Sequence, residues 1–323
     1  YIMTLESIKI LSGNAHREFA CQIAKTLNIE LGKCECVKFS NGETSVLIQE
    51  SIRSKDVYIV QPMCSPNIND YIMELMVLVD AVRRSSANTI TAVVPYYGYG
   101  KQNKKERSRE PITGKLIANM LQVAGVNRII SMDLEASQIQ GFFDIPVDNL
   151  YAEPLIVKYI EKHIKGERVV ISPSVDGVKR AKLVADRLNC DLAIMDRQSR
   201  NDEREEDVLL VGDVSNKIAV IIGKRTDTCE TLALSASVLK KRGGALKVYA
   251  LVSHGILSGN AIQTVNDSDL EEIVITNSIP VGNKLDSCKK IKMINVAPMF
   301  AEAIRRVVHG ESVTASSSKF VIL

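Results

Sequence analysis

The sequence predicts an α/β fold with mostly parallel sheets, on three observations. Apolar runs of strand length alternate with segments of helical periodicity from end to end, the pattern of parallel strands joined by right-handed helical crossovers. Several runs, Ile218 to Ile222 above all, are wholly apolar, as buried strands are. The alternation also occurs twice, with a break near Leu150, so two domains are expected, over residues 1–150 and 151–323. A chain of 323 residues with 46% hydrophobic content can supply two cores of the usual ~100–200-residue domain size.

Ser7 to Leu11 reads as the first strand and Ser12-Gly13-Asn14 as the turn capping a helix, whose Phe19, Ile23, Ala24 and Leu27 share one face. Cys34 and Cys36 fall on one side of a strand, where core packing accounts for them. Thr44 to Gln49 and Asp56 to Gln61 read as adjacent strands about the turn-like stretch Glu50 to Lys55. Asn69-Asp70 caps a long helix reaching about Ser86, with Met73, Met76, Val77, Leu78 and Val79 as core. The strand Thr89 to Val94 breaks at Pro95 into a loop through Gly100 and a charged stretch, Lys101 to Glu110. Pro111 then opens a helix carrying Leu116, Ile117, Met120 and Leu121, followed by a buried strand ending in Ile129-Ile130.

The second half repeats the scheme. Helices are expected at Glu153 to Ile164, Val178 to Leu188 and Leu232 to Lys241, and strands at Arg168 to Ser172, Leu192 to Met195, Val208 to Val211, Ile218 to Ile222 and Lys247 to Val252. Strands near 272–276 and 291–296 and a helix from Pro298 to Val308 close the pattern, and Ala315 to Ser318 reads as a mobile tail.

Net charge is +3, well short of the basic excess expected of a nucleic-acid-binding protein. Seven scattered cysteines without C-x-x-C spacing read as reduced thiols rather than a disulfide framework. Neither a charged-then-apolar leader nor an apolar run of about 18 residues is present, so a cytoplasmic protein with no membrane span is expected.

The most informative stretch runs from Asp133 to Asp148. A buried strand delivers Asp133 and Glu135 to the carboxyl edge of a sheet, where open α/β proteins place their ligands. With Asp144 and Asp148 it offers four carboxylates within sixteen residues, a platform for Mg²⁺, which takes oxygen ligands. An acidic loop capping a helix at Ser137 would account for the same residues.

This stretch resembles the signature of the phosphoribosyl diphosphate synthetases, or ribose-phosphate diphosphokinases. Further matching stretches are Lys38 to Thr44, Asp56 to Gln61, Pro111 to Lys115, Pro146 to Pro154 and Ala301 to Arg306, so the resemblance covers nearly the whole chain. It implies two phosphoribosyltransferase-type domains with an active site between them, dimers or hexamers, and transfer of diphosphate from Mg-ATP to the anomeric hydroxyl of ribose 5-phosphate. It also implies an adenine site at Phe39, Asn41 and Glu43, approached by Lys101, Gln102 and Asn103, although an ordinary Asn-Gly turn would explain Asn41-Gly42 as well.

Departures from the pattern gather at the reacting centre. Glu135 stands at a histidine of the family, Ser174 at an aspartate associated with a second metal, and Lys101 and Asn103 at an arginine and an aspartate. Arg197 falls at the lysine of the catalytic loop and Ser199 at its arginine, which leaves Arg197 and Arg200 as the candidate catalytic cations. Gly223 and Lys224 replace two aspartates that hold the ribose hydroxyls, and Glu230 replaces a glycine of the phosphate loop, in which Asp227, Thr228 and Thr231 remain. The expectation is a catalytically impaired relative acting as a regulatory or structural subunit, as a homo-oligomer or with an active paralogue. The alternative is a working diphosphokinase in which Glu135, Arg197 and Arg200 fill the vacated roles.

Overall fold

The computed structural model describes residues 7–197 and 208–313. In the first half, β1 (Ile8–Ser12), α1 (Arg17–Thr26), β2 (Cys34–Lys38), β3 (Thr44–Ile48), β4 (Asp56–Val60), α2 (Ile68–Arg84), β5 (Thr89–Val94), α3 (Thr113–Ala124), β6 (Arg128–Met132) and β7 (Val147–Leu150) follow in order, with a 3-10 stretch over Ser137–Phe142. Five of these strands make one parallel sheet in the order β1-β4-β5-β6-β7.

Thr44 to Gln49 and Asp56 to Gln61 do form strands, but not neighbouring ones. Every residue of β4 is buried, which suits a central parallel strand, whereas β3 is only partly buried and pairs antiparallel with β2 in a separate hairpin. That hairpin packs against α2. The core beside it includes Leu11, Ile59, Leu75, Leu78 and Leu121, all fully buried. Full burial stabilises each by about 1.5–3 kcal/mol, and truncating Leu75 to alanine would cost about 2–5 kcal/mol. α3 stops where Gly125 takes a φ of 122°, a conformation that side chains disfavour.

The second half comprises α4 (Glu153–His163), β8 (Arg168–Ser172), α5 (Val178–Leu188), β9 (Asp191–Arg197), β10 (Val208–Val211), β11 (Ile218–Thr226), α6 (Glu230–Lys241), β12 (Lys247–Gly255), α7 (Ala261–Asp267), β13 (Glu272–Thr276), α8 (Lys284–Ser287), β14 (Ile291–Ile294) and α9 (Ala297–Val308). Its seven-stranded sheet has the order β10-β9-β8-β11-β12-β13-β14, parallel except for the edge hairpin of β9 and β10. Arg197 ends β9 opposite Val208, while Arg200 lies outside the described residues.

The chain divides into two compact units, and the expected split of 1–150 from 151–323 needs amendment. Ser278–Pro280 and the chain from Val296 onward belong with the first unit, which otherwise ends at Tyr151. The cause is aromatic packing at long range in sequence: the ring of Phe300 in α9 meets Phe19 of α1 edge-on, centroids 5.4 Å apart, and both are fully buried. Among the described residues no helix is long and apolar enough to cross a membrane.

Candidate active site

In the first unit the site begins where β6 ends. Asp133 leaves the strand with a φ of 44°, in the left-handed region that aspartate tolerates better than most residues, and is 4% exposed. Its N–H donates to the Leu150 carbonyl at 2.8 Å, and the Leu134 N–H donates to Asn149 Oδ1 at 3.2 Å, so β7 fixes this turn. Glu135 follows, with Gly100 of the loop after β5 running against its Cβ. Asp133 and Glu135 therefore sit together at the carboxyl edge of the sheet.

Asp144 and Asp148 do not join them. Asp148 lies inside β7 opposite Ile130, and its carboxylate takes the Arg128 guanidinium at 2.7 Å, at the start of β6. Five residues of extended chain separate Arg128 from Asp133, about 16 Å along the strand. Asp144 is exposed just before β7, and its N–H donates to Gln122 Oε1 at 2.6 Å. The four-carboxylate platform is thus divided between opposite edges of the sheet, since strand register overrides nearness in sequence. No group of three or more His, Cys, Asp or Glu with metal-binding geometry exists among the described residues. Two carboxylates still suit Mg²⁺, which commonly takes one or two together with waters and phosphate oxygens.

The adenine-side candidates converge around the amino end of α2. Phe39 to Glu43 join β2 to β3, with the Phe39 N–H donating to the Glu43 carbonyl at 2.8 Å and Gly42 at a φ of 89°. Asn41 Oδ1 accepts the Glu43 N–H at 3.1 Å, so its side chain holds the turn, as an Asn-Gly turn requires. Phe39 is 55% exposed, a large apolar ring held out at the hairpin tip. Lys38 ion-pairs with Asp70 of α2, and the Tyr99 hydroxyl donates to Asn69 at 2.6 Å, drawing the hairpin and the loop after β5 to the same helix end. A Cβ on Gly98 would come within 2.9 Å of the Met63 backbone oxygen, so only glycine permits that approach.

Gln102 and Asn103 are occupied within their loop. Gln102 accepts the Thr113 hydroxyl, its carbonyl accepts the Gly114 N–H at 3.0 Å, and Asn103 donates to the Gly100 carbonyl at 2.6 Å. They shape the loop, and exposed Lys101 presents its charge.

Beneath the hairpin lies a network that sequence reading missed. Glu74, 6% exposed, accepts the Asn14 N–H at 2.6 Å, Asn14 Nδ2 at 2.8 Å and Gln61 Nε2 at 2.7 Å, while Gln61 Oε1 accepts the Ala15 N–H at 3.0 Å. Asn14 Nδ2 also donates to the Cys36 carbonyl at 2.8 Å, which ties β2 to the carboxyl ends of β1 and β4. The available signal was an acid on the face of α2 that carries Leu75 and Leu78; Met73, expected in the core, is instead 51% exposed.

In the second unit, β11 runs four residues beyond its apolar core, pairing Arg225 with His254 and Thr226 with Gly255 of β12. Gly223 and Lys224 are therefore strand residues, half-buried. Arg180 of α5 donates to Ser253 Oγ at 2.9 Å, adding a third cation to Lys224 and Arg225. The following loop satisfies itself. The Ser258 hydroxyl donates to Asp227, the Thr228 hydroxyl donates to Glu230 at 3.0 Å, and Cys229 takes a left-handed φ of 64° before α6. Burial pushes the Cys229 thiol upward. Glu230 thereby sets a carboxylate at the first turn of α6, the end whose N–H groups and dipole attract anions; Thr231 follows it, exposed. Ser174 is exposed in the turn after β8, where its carbonyl accepts the Ser172 hydroxyl at 2.7 Å.

Residues 8–125 match the N-terminal domain of ribose phosphate pyrophosphokinase, and residues 206–316 match the phosphoribosyl synthetase-associated domain. The chain is 69% identical to Ribose-phosphate pyrophosphokinase C of Dictyostelium discoideum over 99% of both sequences. It is 57% identical to that organism's Ribose-phosphate pyrophosphokinase A over 96% of this chain and 98% of the relative. The crystal structure of phosphoribosylpyrophosphate synthetase from Mycobacterium smegmatis superposes with a TM-score of 0.88 at 36% identity, covering 94% of this chain and 99% of that one. With two phosphoribosyltransferase-type α/β units in place, the chain belongs to the ribose-phosphate pyrophosphokinase family.

Proposed function

We propose that this protein keeps the nucleotide-facing side of a ribose-phosphate pyrophosphokinase, has lost efficient diphosphate transfer, and serves as a regulatory or structural subunit. It would do so as a homo-oligomer or by assembling with an active paralogue. The observation that carries the reading is Glu230, whose carboxylate occupies the anion-attracting end of α6 and accepts the Thr228 hydroxyl at 3.0 Å. Two like charges 4 Å apart repel by about 1 kcal/mol in water and about 4 kcal/mol at a partly shielded surface, about a fivefold to thousandfold loss of phosphate affinity. Lys224 compounds the effect, because an ammonium donates hydrogen bonds and accepts none, whereas a sugar hydroxyl is oriented by a carboxylate acceptor.

The first unit retains a use for ATP or another adenine nucleotide. Phe39 offers a stacking face, Glu43 an acceptor and Lys101 a cation beside the phosphates. Asp133 and Glu135 would hold Mg²⁺, which neutralises phosphate charge when bound.

A second reading, a working pyrophosphokinase, is compatible with the 69% identity to Ribose-phosphate pyrophosphokinase C. In it Glu135, Arg197 and Arg200 fill the vacated roles and the Glu230 side chain swings out of the loop. Release of AMP from Mg-ATP, with and without ribose 5-phosphate, separates the two. The first reading expects no increment from the sugar phosphate; sugar-dependent release at about 1 s⁻¹ or faster, an ordinary enzyme rate, would overturn it. Light scattering on mixtures with an active paralogue tests the subunit role, and a monomer that joins no oligomer would remove it.

A further inference from the structure

Cys34 and Cys36 stand two apart on β2, so their side chains leave the same face of the strand. Neither carries a disulfide. Cys34 is 8% exposed, with its sulfur 3.3 Å from the Ser12 carbonyl oxygen, and Cys36 is half-buried, which gives a small molecule a path to the pair. The neighbouring Cys36 thiol, with help from the Arg17 charge, holds Cys34 down to about 7 against the burial that raises it, and Cys36 is pushed up by its neighbour and by burial. Arg17 of α1 and Glu74 of α2 are the charged groups facing the pair. Three of the other five cysteines, at 64, 229 and 288, are buried, and burial raises the half-buried Cys190 thiol.

We propose that Cys34 and Cys36 form a redox-modification site, a thiol pair that hydrogen peroxide converts to an intrastrand disulfide, displacing the hairpin tip that carries Phe39. The Cys34 thiolate attacks one peroxide oxygen and breaks the O–O bond, giving a sulfenic acid and, after protonation of the leaving hydroxide, water. The Cys36 sulfur then attacks the Cys34 sulfur, its proton leaves with the sulfenic hydroxyl as a second water, and the S–S bond closes. Two thiols lose two electrons and two protons; the peroxide gains them.

An extended strand sets residues i and i+2 about 6.6 Å apart at Cα, at the outer limit of disulfide spans and beyond their usual 5.5–6 Å. Closure therefore shortens β2 and strains its pairing of Cys34 with Ile48 and Cys36 with Val46. Such a disulfide is readily reduced, which makes the modification reversible. Phe39 lies three residues beyond Cys36, so the tip moves with the strand. The thiol chemistry stands alone, and only its effect on nucleotide affinity rests on the proposed role of the hairpin.

The test treats the full-length protein with increasing hydrogen peroxide at pH 7.4, alkylates remaining thiols and maps the peptides by mass. The peptide holding Cys34 and Cys36 is expected to lose two hydrogens at lower peroxide than oxidises exposed Cys21. Dithiothreitol should restore it. In Cys36→Ser, and in Cys36→Ala as a second variant, Cys34 should instead stop at a sulfenic acid trapped by dimedone. Affinity for an adenine nucleotide should fall at least about fivefold on oxidation of the native protein and remain steady in both variants. Full alkylation of both cysteines after Cys21 has oxidised would overturn the site. A disulfide without loss of nucleotide affinity would overturn the hairpin displacement. Absence of nucleotide binding to reduced protein would instead defeat the reading of the hairpin, leaving the peptide masses to judge the thiols.

Discussion

The carboxyl edges of the two sheets receive the same kind of chain, a buried parallel strand entering a polar loop, and treat charge in opposite ways. At the first edge, carboxylates lie at the strand end and a cation stands in the neighbouring loop: Asp133 and Glu135 follow β6, and Lys101 follows β5. At the second, the strand end is cationic and the helix start is acidic, with Lys224 and Arg225 on β11 and Glu230 opening α6. The first arrangement suits a metal-bound polyphosphate. On the proposed reading the second opposes a sugar phosphate at both of its ends. The same reading makes the first edge usable and the second blocked, and the side chains at the strand ends make the difference.

The largest effect is expected from reversing the second edge. The combined change Gly223→Asp, Lys224→Asp and Glu230→Gly should raise sugar-dependent AMP release about 100-fold or more, in the range that single preorganised polar groups contribute at active sites. A Cβ at position 223 would meet Val252 no nearer than 3.5 Å, so the strand accommodates the substitution. An unchanged rate would break the contrast, because it would place the defect elsewhere.

Next in size is Glu74→Ala. Asn14 and Gln61 would lose their buried acceptor, which should cost about 1–3 kcal/mol in urea unfolding and weaken nucleotide binding through the hairpin. Phe39→Ala, by contrast, should leave the unfolding midpoint within about 0.5 kcal/mol, since the ring is mostly exposed, and lower nucleotide affinity about tenfold. Stability loss without affinity loss in the first variant, or the reverse pattern in the second, would separate hairpin position from base stacking.

The smallest effect should come from Asp148→Asn. Its partly exposed pair with Arg128 contributes about 1 kcal/mol or less, and magnesium-dependent nucleotide binding should persist. Asp133→Asn should abolish that magnesium dependence. Equal losses from both changes would contradict the division of the acidic run between two edges.

Strands buried along their length were legible in the sequence, as were a few partly exposed ones such as Val208 to Val211. Thr89 to Val94 and Arg168 to Ser172 emerge as β5 and β8, because a continuous apolar run leaves little choice of structure. β7 was not legible, since Val147-Asp148-Asn149-Leu150 spends its middle on an ion pair and a turn contact. The extension of β11 through Gly223-Lys224-Arg225-Thr226 was hidden likewise, for its residues are polar and only the partner strand β12 reveals the pairing. Long-range facts were invisible: α9 joins the first unit through Phe19, and Asp148 faces Arg128 through register. Among site residues, Asp133 and Glu135 could be placed because they directly follow a strand. Glu74 could not, because helical periodicity registers an acid on a buried face as noise.

The contrast between the edges is tested most directly by calorimetric titration of ribose 5-phosphate, and separately of a non-hydrolysable ATP analogue with Mg²⁺, into the same purified protein. Saturable binding of the nucleotide, with no heat of binding from ribose 5-phosphate up to about 1 mM, the upper end of common KM values, is the expected result. Ribose 5-phosphate binding in the micromolar range would contradict it, and would show that Glu230 and Lys224 leave the second edge open.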